Sequence, residues 1–150
     1  MKKIIFVITV CLFWVQANEE KQGISTLSED VRALLSQEMR QIEKGMQNIF
    51  SHIVKGEHEE IAKIATQIHD SFIFKKSLTD AQRTELKEKA PKAFIELDRT
   101  FHATAGQLAE AAEFDDKVQI QENYLKMMGL CVQCHSTYAS HRFSTFEDLD

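Results

Sequence analysis

The chain has 150 residues, a length that suits one domain. Apolar residues make up 43%, too few for a membrane bundle and too many for a disordered chain. The formal net charge of −5 disfavours nucleic acid and anionic lipid as partners, and a single proline with five glycines argues against a turn-rich β architecture.

Residues 1–17 have three zones: Lys2 and Lys3, an apolar run from Ile4 to Val15 interrupted by Thr9, then Val15-Gln16-Ala17 with small residues at the cleavage positions. The run is short of the roughly 20 residues a membrane-spanning helix needs. We read 1–17 as a cleaved signal peptide and 18–150 as the mature domain, with no stable membrane insertion after cleavage. Losing Lys2 and Lys3 leaves 16 basic against 23 acidic residues, a net of −7. Export places the domain in an oxidising compartment, which in a Gram-negative bacterium is the periplasm. Cys11 leaves with the signal, so the mature chain keeps only Cys131 and Cys134.

A first helix is predicted over 27–54. Thr26 and Glu29 fit a capping box, and Leu35, Met39, Ile42, Met46, Ile49 and Ile53 step by four and three, the spacing of a bundle seam. Lys55-Gly56 ends it. A second helix is predicted over 57–74 with the stripe Ile61, Ile64, Ala65, Ile68, Phe72. A connection with some helix of its own follows, opened by a second capping box at Thr79 and Gln82. Pro91 then suits the first turn of a third helix, predicted over 91–113 with Phe94, Leu97, Phe101, Ala105, Leu108 and Ala112 inward. Asp115 and Asp116 mark a turn or N-cap. The fourth helix, over 116–139, carries the seam Ile120, Tyr124, Met127, Cys131, Cys134, Tyr138. Residues 140–150 read as a polar, acidic tail. Four amphipathic helices with short connections make an all-α antiparallel four-helix bundle.

Cys131-Val132-Gln133-Cys134-His135 is C-x-x-C-H, the attachment pattern of haem c. On a helix, positions i, i+3 and i+4 share a face. Two thiols can therefore add to the haem vinyl groups while the His135 imidazole reaches the iron as proximal ligand. Other uses of the pair fit less well. A thioredoxin-like dithiol belongs beside a βαβ unit, and a zinc site lacks its second pair. A disulfide closing so small a loop would add little stability. The motif therefore points to one covalent haem c on the last helix.

A signal peptide, four helices and C-x-x-C-H in the last of them resemble cytochrome c-prime and its methionine-ligated, low-spin relatives. The resemblance spans nearly the whole mature chain, with the haem motif its sharply specific part. It implies a sixth iron ligand or an apolar residue supplied by the first half of the first helix. Here that stretch is Glu38-Met39-Arg40, and counting back from Lys55-Gly56 the family spacing lands on Arg40 rather than Met39. Met39 lies on the seam and is the candidate carried forward, with Met46, His102 and an open site as alternatives. His69 and His102 also suit ordinary helix packing. Arg32 and Arg40 could pair with haem propionates. His58 with Glu57, Glu59 and Glu60 could hold a metal but also suits a solvated helix start.

A Met/His pair raises haem potential and suits electron transfer. The expected function is thus a periplasmic monohaem carrier of single electrons between redox proteins. An acidic carrier favours partners with basic patches and small, transient contacts. The alternative is a five-coordinate, nitric-oxide-binding protein like cytochrome c-prime. No distal acid/base constellation suggests an enzyme. Homodimers through the first two helices are frequent in the resembled family, so the resemblance allows one here.

Overall fold

The computed structural model describes residues 24–71, 74–143 and 145. The expected signal peptide and Phe72 lie outside them. Four long helices form the bundle: α1 (Glu29–Lys55), α2 (His58–His69), α5 (Lys92–Glu113) and α6 (Lys117–Tyr138). The short α3 (Phe74–Ser77) and α4 (Asp80–Lys89) carry the chain from α2 to α5, and a 3-10 turn, Ser140–Arg142, follows α6. No strand occurs among the described residues.

The seams place the core. Ile42, Met46 and Ile49 of α1 meet Ile61, Ala65 and Ile68 of α2, Phe101, Ala105 and Leu108 of α5, and Ile120 and Met127 of α6. Each fully buried Leu, Ile or Met side chain contributes about 1.5–3 kcal/mol. A second, smaller cluster of Ala90, Phe94 and Tyr138 closes one end, with Leu35, Leu97 and Cys134 at its edge. Within it, Phe94 meets Tyr138 edge-on at 5.3 Å between ring centroids.

α2 packs most extensively on α5, and small residues permit it. A methyl group added at Gly106 of α5 would stand 3.0 Å from His69 Nδ1; on the α1 side of α2, one at Gly45 would stand 3.2 Å from Ile68 Cδ1. Two histidines complete the α2–α5 seam reciprocally. His69 Nδ1 lies 3.0 Å from the His102 carbonyl, and His102 Nδ1 lies 2.6 Å from the Ile68 carbonyl. Carbonyls only accept, so both Nδ1 atoms carry the proton.

The local signals fix several boundaries. The Thr79–Gln82 capping box forms at the start of α4. Asp116 caps α6 by accepting from Gln119 N at 3.1 Å. Gly56, at φ +72°, takes the left-handed conformation that ends α1. Pro91 sits at the N-cap of α5 rather than in its first turn.

Two boundaries differ from expectation, and both are set by distant residues. The N-cap of α1 is Ser28 rather than Thr26, and the Ser28 side chain makes no cap bond to the helix but reaches a distant residue. Ser28 N and Oγ donate to the two carboxylate oxygens of Glu85 on α4, at 2.6 and 2.8 Å. The Ser28 N–H, then Lys89 and the Ser28 hydroxyl, hold the Glu85 carboxyl below the usual carboxylate range. A depressed carboxyl contributes stability that is present above the unfolded-state pKa and is lost as pH falls through the folded one. Glu85→Gln should therefore flatten the drop in melting temperature between about pH 6 and about pH 3. An equal acid sensitivity in both proteins would refute this.

α2 ends at His69 instead of running to 74. Ser71 takes φ +61°, which a helix cannot contain. A buried carboxylate on α1 holds that turn. Glu38 is 1% exposed and accepts from Ser71 Oγ at 2.7 Å and from Phe74 N at 3.0 Å. Glu38→Ala would strand these buried donors and should cost about 3 kcal/mol in urea unfolding. A loss under about 0.5 kcal/mol, the level of an ordinary surface change, would contradict it.

Candidate functional site

The site is built on the last two turns of α6. Ile120, Asn123, Met127 and Tyr138 are buried and fix the rotation of the helix about its axis. Tyr124 adds a cross-link to α1, donating its hydroxyl to the Met46 carbonyl at 3.3 Å. With α6 so oriented, Cys131 and Cys134 are half-buried free thiols on the inward side. Cys131 lies at the edge of the main core and Cys134 at the edge of the smaller cluster. His135, the next residue, is half-buried beside them.

Burial raises the pKa of both thiols. Cys134 is pushed up to about 11, first by burial and then by the Asp98 carboxylate and Cys131. Cys131 rises for the same first reason. Both are therefore neutral thiols near pH 7. His135 moves the other way, lowered by burial and then by Arg142, with Glu43 of α1 opposing. A lowered imidazole pKa keeps the lone pair that a metal requires.

Across from the motif stands α1. Met39 is half-buried and packs against the same apolar cluster as Cys131. Arg40, where the family spacing falls, is exposed, and its Nη1 donates to Ser36 Oγ at 3.1 Å. Met46 is buried within the main core. The tightly packed helix pairs are α2–α5, α5–α6 and α1–α2; α1 and α6 are not among them. The side of the bundle between Met39 and the motif is thus its least closely packed seam.

The remaining candidates separate from the motif. His102 is buried with Nδ1 on the Ile68 carbonyl and Nε2 at 3.5 Å from Asp98 Oδ1, so packing occupies it. His69 is likewise occupied by the His102 carbonyl. Arg32 donates to the carbonyls of Ser25 and Leu27, at 2.9 and 2.7 Å, and serves the turn before α1. His58 pairs with Asp115 and His52 with Glu57, each at 2.6 Å, and these pairs tie the loops at the far end of the bundle. Among the described residues no group of three His, Cys, Asp or Glu side chains could hold a metal ion, which removes the acidic-cluster reading.

Three residues near the site escaped the sequence reading. Glu38 precedes Met39 and fixes α1 to the end of α2. Glu43, one turn beyond Met39, acts electrostatically on His135. Phe143 stacks on the His135 imidazole with centroids 4.8 Å apart and planes 16° apart. None of the three carries a periodic or motif signal in the sequence.

The donor set fits haem c. It offers two unpaired thiols at i and i+3 of a helix, an imidazole at i+4 biased to its neutral form, and apolar surroundings with a thioether on the facing helix. The family model described as Cytochrome C' matches residues 29–139. No curated protein and no solved structure matches the chain.

Proposed function

The chain belongs to the cytochrome c-prime family, and from that premise we propose that it is a periplasmic monohaem cytochrome that carries single electrons between redox proteins. Cys131 and Cys134 hold the haem as thioethers, His135 is its proximal ligand, and Met39 is its sixth ligand. When bound, haem c supplies a one-electron ferric/ferrous couple.

The chain's own residues set the conditions for that couple. His135 stays neutral because burial and Arg142 disfavour its charged form. Met39 adds a soft thioether, which favours the reduced state and raises the potential. The buried cluster that Met39 and Cys131 pack against keeps that side of the site apolar, and the bundle limits rearrangement between oxidation states. The observation that carries the reading is the packing of Met39 into the same cluster as Cys131. The expected partners are redox proteins with basic patches, met in brief encounters.

A second reading keeps one observation in its favour. Met39 in an apolar cluster could be packing alone, which would leave an open, apolar distal side that admits nitric oxide. Optical spectra of the purified protein, oxidised and reduced, with and without carbon monoxide or nitric oxide, separate the two. Low-spin spectra in both states that resist added gas support the carrier. High-spin spectra that respond promptly to gas would replace it with the gas-binding reading.

A further inference from the structure

The haem reading makes His135 a proximal ligand, and a ligand imidazole needs something to fix its plane. The usual device is a carboxylate or carbonyl that accepts from the other ring nitrogen. Among the described residues no hydrogen-bond partner holds either ring nitrogen of His135. The ring is instead covered on one face by Phe143, with centroids 4.8 Å apart and planes 16° apart.

That contact requires a specific chain reversal. Residue 143 is eight positions past His135, so continuing α6 would carry it about 12 Å along the helix axis. The helix stops at Tyr138, and Ala139 leaves helical geometry at φ −130° and ψ 15°. The 3-10 turn then folds the chain back. Ala139 N donates to the His135 carbonyl at 3.1 Å, Arg142 N to Ala139 O at 2.9 Å, and Phe143 N to Ser140 O at 2.8 Å. The product of the turn is an aromatic ring lying flat on the imidazole. Phe143 remains 43% exposed, so the turn does not serve simply to bury it.

We propose that Phe143 is a positioning residue for His135, fixing the plane of the imidazole and shielding one of its faces from water. This rests on His135 being the proximal ligand. Parallel stacking specifies a ring plane, which an aliphatic side chain of similar apolarity does not. Shielding also disfavours the more highly charged ferric state, so the exposed variant should have the lower potential.

The test uses the haem-loaded protein and the variants Phe143→Ala, Phe143→Leu and Phe143→Tyr. Circular dichroism verifies equal helix content. The readouts are the ferric electron paramagnetic resonance spectrum, which reports ligand-plane orientation, and the midpoint potential. Phe143→Ala should broaden the resonance and shift the ferric/ferrous equilibrium toward ferric by about tenfold, which is about 59 mV for a one-electron couple. Phe143→Tyr should restore both readouts. Phe143→Leu should leave the resonance broadened. Wild-type signals in Phe143→Ala, or full rescue by Leu, would overturn the proposal. A wild-type protein without haem, or a His135→Ala protein with the wild-type ligand signature, would instead remove the ligand reading itself and the inference with it.

Discussion

Replacing both thiols, as Cys131→Ala with Cys134→Ala, should give a colourless protein with a melting temperature lower by about 10 °C or more. The colour goes because haem held without thioethers, by ligation and packing alone, can dissociate and is lost on purification. The stability falls because a group bound only to the folded state stabilises it by mass action, and a covalent group does so at very high effective concentration. A loss of several kcal/mol converts to a shift of that order for a domain of this size. The structure indicates where the loss would be felt. α1 and α6 are not a closely packed pair, and Cys131 and Cys134 sit at the edges of the two apolar clusters. Haem-free chain from the single variants should fall near the double variant. Thermal unfolding followed at the helix band, with haem absorbance recorded in parallel, checks both parts. A coloured double variant with an unchanged melting temperature would refute the attachment.

Met39→Ala should convert a low-spin, six-coordinate spectrum to one that binds carbon monoxide readily. It should also lower the midpoint potential, because the thioether favours ferrous iron. A hundredfold change in the ferric/ferrous equilibrium is about 120 mV at about 59 mV per tenfold. The same substitution at an ordinary packing methionine costs about 2–5 kcal/mol of stability and leaves the spectrum alone. Met46→Leu is the control: Met46 is buried in the main core, and a volume-conserving change there should cost under about 1.5 kcal/mol with no spectral change. If Met39→Ala loses stability alone, Met39 is packing and the distal side is open. If Met46→Leu changes the spectrum instead, the ligand is one turn-pair further along α1.

Periodicity made most of the fold legible. The seams of α1, α5 and α6 are the buried faces, and the short-range signals at Thr79, Gly56 and Asp116 mark the boundaries they suggest. What stayed hidden depends on residues far apart in the chain. Glu38 reads as one more charge on a polar helix face, yet it is buried because Ser71 and Phe74 N meet it across the bundle. That meeting ends α2 before its apolar pattern does. Ser28 rather than Thr26 is the N-cap residue of α1, and its N–H and hydroxyl bond Glu85, fifty-seven residues away. Gly106 carries no periodic signal, and its role follows from the His69 ring packed against it.

The site divides in the same way. Cys131, Cys134 and His135 are a local C-x-x-C-H pattern that helix geometry brings to one side of α6. The facing residues come from other elements. Met39 could be proposed from the α1 seam, and its inward position beside an exposed Arg40 agrees with the seam rather than the family spacing. Glu43 and Phe143 depend on how α1 crosses α6 and on how the chain turns after Tyr138. No one-dimensional pattern encodes either.

The central claim is covalent haem on α6, and the intact mass of the denatured, periplasmically expressed protein tests it most directly. The account predicts a chain beginning at Asn18 and heavier by one haem, with the added mass on the peptide containing Cys131 and Cys134. A chain of bare polypeptide mass with two alkylatable thiols, obtained alongside an active haem-attachment system, would contradict it.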